Sequence, residues 1–137
     1  MTNVSKKPIK KEILQKTSNR LNEIFSKLGN NTNTKLFLED FLTNSERIML
    51  SKRLTLIFML SENVPFSVIT RTLNVSPATV GKTARILDRG GYKNALAIFK
   101  KTKSSKLFWK QIETLFRTEM PKYGRGRWNF LPKNPGR

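Results

Sequence analysis

The sequence predicts an all-α fold. Apolar residues recur at the three- and four-residue spacing of helices along most of the chain, and no segment alternates convincingly as a strand would. A further observation is that residues 66–87 read as two short helices hinged at Asn74-Val75-Ser76, the pattern of a helix-turn-helix. At 137 residues, the chain is long enough for one domain with its own core.

The N-terminal part of the chain predicts two helices. Residues 8–28 carry apolar residues at helical spacing, with lysines largely on the opposite side, which indicates an amphipathic helix. Residues 29–34 are small and polar and predict a connector. Residues 36–42 predict a short second helix.

A long third helix is predicted over about residues 44–62. Thr43 and Glu46 have the spacing of a capping box, in which each side chain bonds to the other residue's backbone N–H. Toward its C-terminal end this helix is apolar around nearly its whole circumference. We therefore expect it to be buried centrally, or to be buried by a second subunit.

Each position of the hairpin at 66–87 has a physical role. Asn74 stands at the tight turn, where Asn tolerates the left-handed conformation better than most residues. Ser76 can cap the second helix, and Pro77 suits the first helical position because its missing N–H would have no partner there. Val75 fills the corner between the two helices, and the inner faces of the helices carry Ile69, Leu73, Val80, Ala84 and Leu87.

The rest of the chain is divided by glycines and lysines. Gly90-Gly91 should end the second hairpin helix, and a further helix should begin at Tyr92. We expect a basic connector over 100–106 and a helical period over 107–116. The predicted division is a flexible basic N-terminus at 1–7, a main domain at 8–99, a connector and helix at 100–120, and a disordered basic Pro- and Gly-rich tail at 121–137.

Composition excludes several functional classes. The chain has no Cys or His, so the usual thiolate, imidazole and zinc-thiolate chemistries are absent, and its nine acidic residues are scattered. We expect no enzyme activity, cofactor or metal. The longest apolar run is far too short for a membrane span, and the start of the chain lacks the apolar region of a signal peptide. A cytoplasmic protein with no membrane partner is expected.

The charge indicates a polyanionic partner. Lys and Arg number 27 against 9 Asp and Glu, for a net charge of +18. Residues 1–62 hold 11 basic and 6 acidic residues, whereas residues 63–137 hold 16 and 3. The excess is therefore greatest in the part that contains the hairpin. Small or basic residues on the outer face of its second helix would let that helix enter the major groove of double-stranded DNA.

The chain resembles the Trp repressor family, and more closely its uncharacterised bacterial members. The long helix opens with Leu42-Thr43-Asn44-Ser45-Glu46-Arg47, and a hairpin containing Ala78-Thr79-Val80 follows at the family's spacing. The resemblance covers about residues 10–99. It implies a sequence-specific transcriptional regulator, a repressor by family, that binds DNA as an intertwined homodimer in the nucleoid.

The resemblance also implies roles for single residues. The positions that contact bases are Pro77, Ala78, Thr79 and Gly81, of which Thr79 is the strongest candidate. Ser76 precedes them as the cap of the helix. Lys82 and Arg85 would contact phosphate, and Ser67 and Arg71 on the preceding helix would lie near the DNA backbone.

The tryptophan pocket of the family is only partly present. Thr43 and Arg53 match pocket residues, but Lys82 stands where the family has a second arginine, and Thr83 where it has a glycine. Lysine lacks the planar guanidinium that stacks on an indole, and the threonine side chain occupies space the indole needs. We therefore expect no tryptophan binding.

Three alternatives remain open. Arg125 and Arg127 lie in a Gly-Arg-Gly-Arg sequence that could enter an A·T-rich minor groove, although a solvated basic tail is the simpler interpretation. The charge and the tail's aromatic residues would also suit an RNA-binding, ribosome-associated protein. A nucleoid protein that binds DNA without sequence preference is the third alternative.

Overall fold

A computed structural model describes residues 7–102 and residue 114. The described residues form six α-helices and no strand, which confirms the predicted all-α fold. The chain divides into two compact units, Met1–Ser51 and Lys52–Arg137, and the boundary falls within the third helix. The helices are α1 (Lys11–Lys27), α2 (Asn31–Phe41), α3 (Asn44–Ser61), α4 (Phe66–Leu73), α5 (Pro77–Asp88) and α6 (Lys93–Thr102).

The second helix begins earlier than the sequence predicts. The expected connector at 29–34 is wrong from Asn31 onward, because those residues form the first turn of α2. The Asn30 side chain accepts a hydrogen bond from the Asn33 backbone N–H at 2.8 Å and so caps the helix. A run of polar residues is thus compatible with a helix start when its first residue is a good cap.

The first unit exposes its apolar side chains. Phe37 packs against Phe25 and Phe41, with ring centroids 5.7 and 5.2 Å apart. Even so, none of its described residues is buried, and 11 of its large hydrophobic side chains are at least one-third exposed. These are Ile9, Ile13, Leu14, Leu21, Ile24, Phe25, Leu36, Phe41, Ile48, Met49 and Leu50.

The predicted capping box is present at the start of α3. The Thr43 backbone N–H and hydroxyl both donate to Glu46 Oε2, at 2.9 and 2.8 Å. In return, the Glu46 backbone N–H donates to Thr43 Oγ1 at 3.3 Å. The Thr43 backbone bond, followed by the bond from its hydroxyl, lowers the pKa of Glu46 from its ordinary value.

The lowered pKa makes this cap sensitive to acid. A carboxylate whose pKa is lower in the folded chain stabilises the fold above its unfolded pKa, near 4.3, and loses that contribution as the pH falls through the folded value. Glu46→Gln should therefore lower the urea midpoint at pH 7, with the difference from wild type shrinking toward pH 3. Glu23→Gln, at an exposed position of α1, is the control. A difference independent of pH would contradict the prediction.

The second unit contains the core. The five consecutive residues Leu56–Leu60 are all buried, as the sequence predicts for a helix that is apolar all round. The core cluster comprises Leu56, Phe58, Met59, Leu60, Val64, Ile69 and Val80. Phe99 of α6 packs edge-on against Phe58, with ring centroids 5.5 Å apart.

Three helices of this unit, α3, α4 and α5, end in the same hydrogen-bonded motif. After α3, Asn63 is left-handed (φ 58°), and Val64 N–H donates to Met59 O at 3.1 Å. After α4, the left-handed residue is Asn74 (φ 48°), and Val75 N–H donates to Thr70 O at 3.3 Å. After α5, Gly90 is left-handed (φ 82°), and Gly91 N–H donates to Ile86 O at 2.9 Å. Gly90 and Gly91 therefore end the helix as predicted.

The sixth helix is longer than predicted. Lys100, Lys101 and Thr102 were expected to begin a connector, but they form the last turn of α6. Lysines at this end interact favourably with the partial negative charge of the free helix carbonyls, so the basic run does not break the helix. The predicted segments at 1–6, 103–113 and 115–137, including most of the helix at 107–116 and the whole tail, lie outside the described residues.

Candidate nucleic-acid interface

The first helix of the hairpin is anchored by its inner face. Ile69 is fully buried, and Val68 and Leu73 pack against the core beside it. The helix ends at Asn74, which adopts the left-handed conformation (φ 48°, ψ 59°), as the sequence predicts for the tight turn. Val75 then packs against the core, so the chain reverses at a fixed point.

A lysine outside the hairpin contacts this turn. Lys52, on α3, donates from Nζ to the Asn74 backbone oxygen at 3.4 Å. Its positive charge lies at the C-terminal end of α4, where the helix has partial negative charge. This contact is not predictable from the sequence, because the two positions lie 22 residues apart and no local pattern connects them.

The second helix of the hairpin is fixed at its first turn. The Ser76 hydroxyl accepts a hydrogen bond from the Thr79 backbone N–H at 3.2 Å, and Pro77 occupies the first turn. The hydroxyls of Ser76 and Thr79 are also hydrogen-bonded to each other, at 2.9 Å. Both features confirm the predicted start of the helix and hold the Thr79 side chain in one orientation.

The inner face of α5 is buried as predicted. Val80 is fully buried, and Ala84 and Leu87 pack against the core. This anchoring fixes which face of α5 points outward. The predicted contact residues that are exposed are Ser67 and Arg71 on α4, Ser76 at the cap of α5, and Pro77, Ala78, Thr79, Lys82 and Arg85 on α5; Gly81 is partly exposed.

The hairpin surface is basic. From Phe66 to Leu87 the sequence has three basic residues and no acidic one. All three of these cations, Arg71, Lys82 and Arg85, are exposed. The structure thus brings small side chains and cations together on the outer face of one anchored helix, with Arg71 on the helix before it. This arrangement suits close approach to a polyanion with a groove.

Two of the four positions that match the tryptophan pocket have side chains that form hydrogen bonds within their own helix region, and the other two are exposed. Thr43 is engaged in the capping box with Glu46, and Arg53 is exposed on α3. On α5, Lys82 is exposed and Thr83 is partly exposed. The Thr83 hydroxyl donates to the Thr79 backbone oxygen at 3.0 Å, so this side chain bonds back along its own helix.

The described part of the chain contains neither a metal-binding cluster nor a membrane-spanning helix. Within it, no group of three or more acidic, His or Cys side chains could hold a metal ion. No described helix has the length and hydropathy needed to cross a membrane. The suggested minor-groove residues Arg125 and Arg127 lie outside the described residues.

Comparison with known proteins gives one match. A family model described as Trp repressor protein matches residues 16–101. The match includes the whole of α2 to α5, and with them the hairpin and its basic outer face. No curated protein matches the chain, and no solved structure does.

Proposed function

Because the chain belongs to the Trp repressor family, a family of helix-turn-helix DNA-binding regulators, we propose that it is a sequence-specific repressor of transcription. It binds double-stranded DNA as a homodimer in the cytoplasm, at the nucleoid. The observation that carries the proposal is the outer face of α5: it is exposed, small and basic, while Val80 on the opposite face is fully buried.

In this proposal α5 lies in the major groove, where some of its residues contact bases and others contact phosphates. Twelve residues give a helix of about 18 Å, long enough to cross the groove. The edge formed by Ala78 and Thr79 reads bases, with the Ala78 methyl able to meet a thymine methyl. Lys82 and Arg85 bind phosphate, joined by Ser67 and Arg71 on α4.

The exposed apolar side chains of the first unit support a homodimer. None of its described residues is buried, although α1 and α2 carry large hydrophobic residues at helical spacing. Surfaces of this kind usually mark a protein interface, and a second copy would cover them. A two-fold symmetric dimer would place two α5 helices in successive major grooves, about 34 Å apart, on a pseudo-palindromic site.

Selection of binding sites from random duplexes tests the proposal, using the full chain with its dimerisation measured in parallel. We expect a pseudo-palindromic motif bound by a dimer. The selected duplex should also compete better than structured RNA at fixed salt. Enrichment of no motif would favour a non-specific nucleoid protein, and preference for RNA would favour a ribosome-associated one. Either result would contradict sequence-specific repression.

We further propose that the protein binds no tryptophan. Lys82 cannot stack on an indole as arginine does, and the Thr83 side chain adds bulk where the family has glycine. Titration calorimetry with L-tryptophan should therefore give no saturable heat, and the amino acid should leave the affinity for the selected duplex unchanged. The double variant Lys82→Arg, Thr83→Gly, which introduces the family's residues at both positions, is compared with wild type in the same titration. Saturable binding by the wild-type chain would refute this proposal.

A further inference from the structure

Gly81 lacks the usual reasons for a glycine within a helix. Glycine is, after proline, the least favourable residue in a helix interior, so its presence there generally reflects a special conformation or a close contact. Gly81 is not among the described residues with positive φ. Among the described atoms outside its own neighbours and helix backbone, a Cβ at this position would meet only Arg85 Nη1, at 3.9 Å.

Gly91 shows what a required glycine looks like in this chain. A Cβ there would lie 2.5 Å from Ile86 Cγ2 and 2.7 Å from the Ile86 backbone oxygen. At Gly81, by contrast, an alanine would fit without any shift of the described chain. No described residue therefore requires a glycine at this position.

The surroundings of Gly81 indicate a negatively charged neighbour. Ala78 lies one turn before it on α5 and has only a methyl group, so no large side chain projects from the helix beside Gly81. Lys82 is next in sequence, and Arg85, one turn later, has its guanidinium beside Gly81. An apolar partner would leave both exposed cations without compensation, whereas a phosphate group would bond to them.

We propose that Gly81 is the point where α5 approaches the DNA backbone most closely. A phosphate lies over the glycine and accepts hydrogen bonds from the Arg85 guanidinium, so that Gly81 and Arg85 act on the same group. Gly81 is then a positioning residue: a methyl group there would hold the helix away from the phosphate. This inference rests on the proposed DNA-binding function, and it replaces the base contact that family resemblance implies for Gly81.

Gly81→Ala in the full chain tests the inference, because stability and binding should change in opposite directions. The thermal midpoint should rise, since alanine favours helix. Affinity for the selected duplex and for random duplex should fall equally, by about five- to tenfold, as expected for one weakened phosphate contact. Arg85→Ala should cause a similar loss, and the double variant little more than either alone, because both changes act on one phosphate.

The control separates stability from binding. Ala97→Gly, at an exposed position of α6, should lower the thermal midpoint and leave the affinity for DNA unchanged. If wild type binds the selected duplex and Gly81→Ala binds it equally well, this inference fails and the proposed function stands. A loss confined to the selected duplex would assign a base contact instead, and a changed oligomeric state would assign a subunit contact. Failure of wild type to bind any duplex would overturn both proposals.

Discussion

Gly91→Ala should destabilise the protein by about 2–4 kcal/mol, the range for a substitution that forces backbone to move in a packed region. A Cβ at Gly91 would lie 2.7 Å from the Ile86 backbone oxygen. That oxygen cannot easily move away, because it accepts the Gly91 N–H hydrogen bond that ends α5. The methyl group must therefore break the motif and displace the end of α5 or the start of α6.

Urea unfolding followed by circular dichroism measures this effect at fixed protein concentration. Gly81→Ala is the matched control: it makes the same chemical change, also in or beside α5, but at a position with open space. The two variants should shift the urea midpoint in opposite directions. A loss below about 1 kcal/mol for Gly91→Ala would show that the turn adapts to a side chain at little cost.

Thr79→Ala should relax the choice of base at one position of the selected site, by about 1–3 kcal/mol of discrimination. The reason is that Thr79 has the first exposed hydroxyl within α5 itself, and this hydroxyl is hydrogen-bonded to that of the capping residue Ser76. The helix itself should survive, since Ser76 still accepts the backbone N–H of residue 79. Affinities for the selected duplex and for its single-base-pair variants measure the change.

Lys82→Ala is the comparison that separates base reading from phosphate binding. It should weaken binding to all duplexes alike and lower the slope of log K against log salt by about one unit. Thr79→Ala should leave that slope nearly unchanged. Equal losses on selected and random DNA for both variants would contradict the proposed division between Thr79 and Lys82.

Local chemistry made much of the hairpin predictable from sequence. Asn74 at the turn, Ser76 at the cap and Pro77 after it all act within a few residues of the chain, and each has the predicted conformation or hydrogen bond. The capping box of Thr43 and Glu46 is predictable for the same reason. The burial of Ile69 and Val80 followed from helical periodicity, which depends only on spacing.

Other features depended on competing or distant interactions. Residues 31–34 are individually poor helix formers, but they are helical because Asn30 caps the first turn. Lys100 to Thr102 continue α6 because lysine is a good helix former, and the positive charge of this run does not end the helix. The bond from Lys52 to Asn74 could not be anticipated, since it joins two separate helices. The open space at Gly81 could not be predicted either, because it depends on how neighbouring residues are arranged around α5.

The absence of buried residues from the described part of the first unit has a consequence for how much of this protein a cell must make. In the proposed homodimer the first unit would gain its core from a second copy, so its folding would depend by mass action on the concentration of the chain itself. At low concentration the first unit would stay unfolded and accessible to proteases, whereas at high concentration association with a second copy would protect it. The folded protein would then accumulate only above a threshold concentration of chains, and this threshold would depend on dimer assembly as well as on the rate of synthesis.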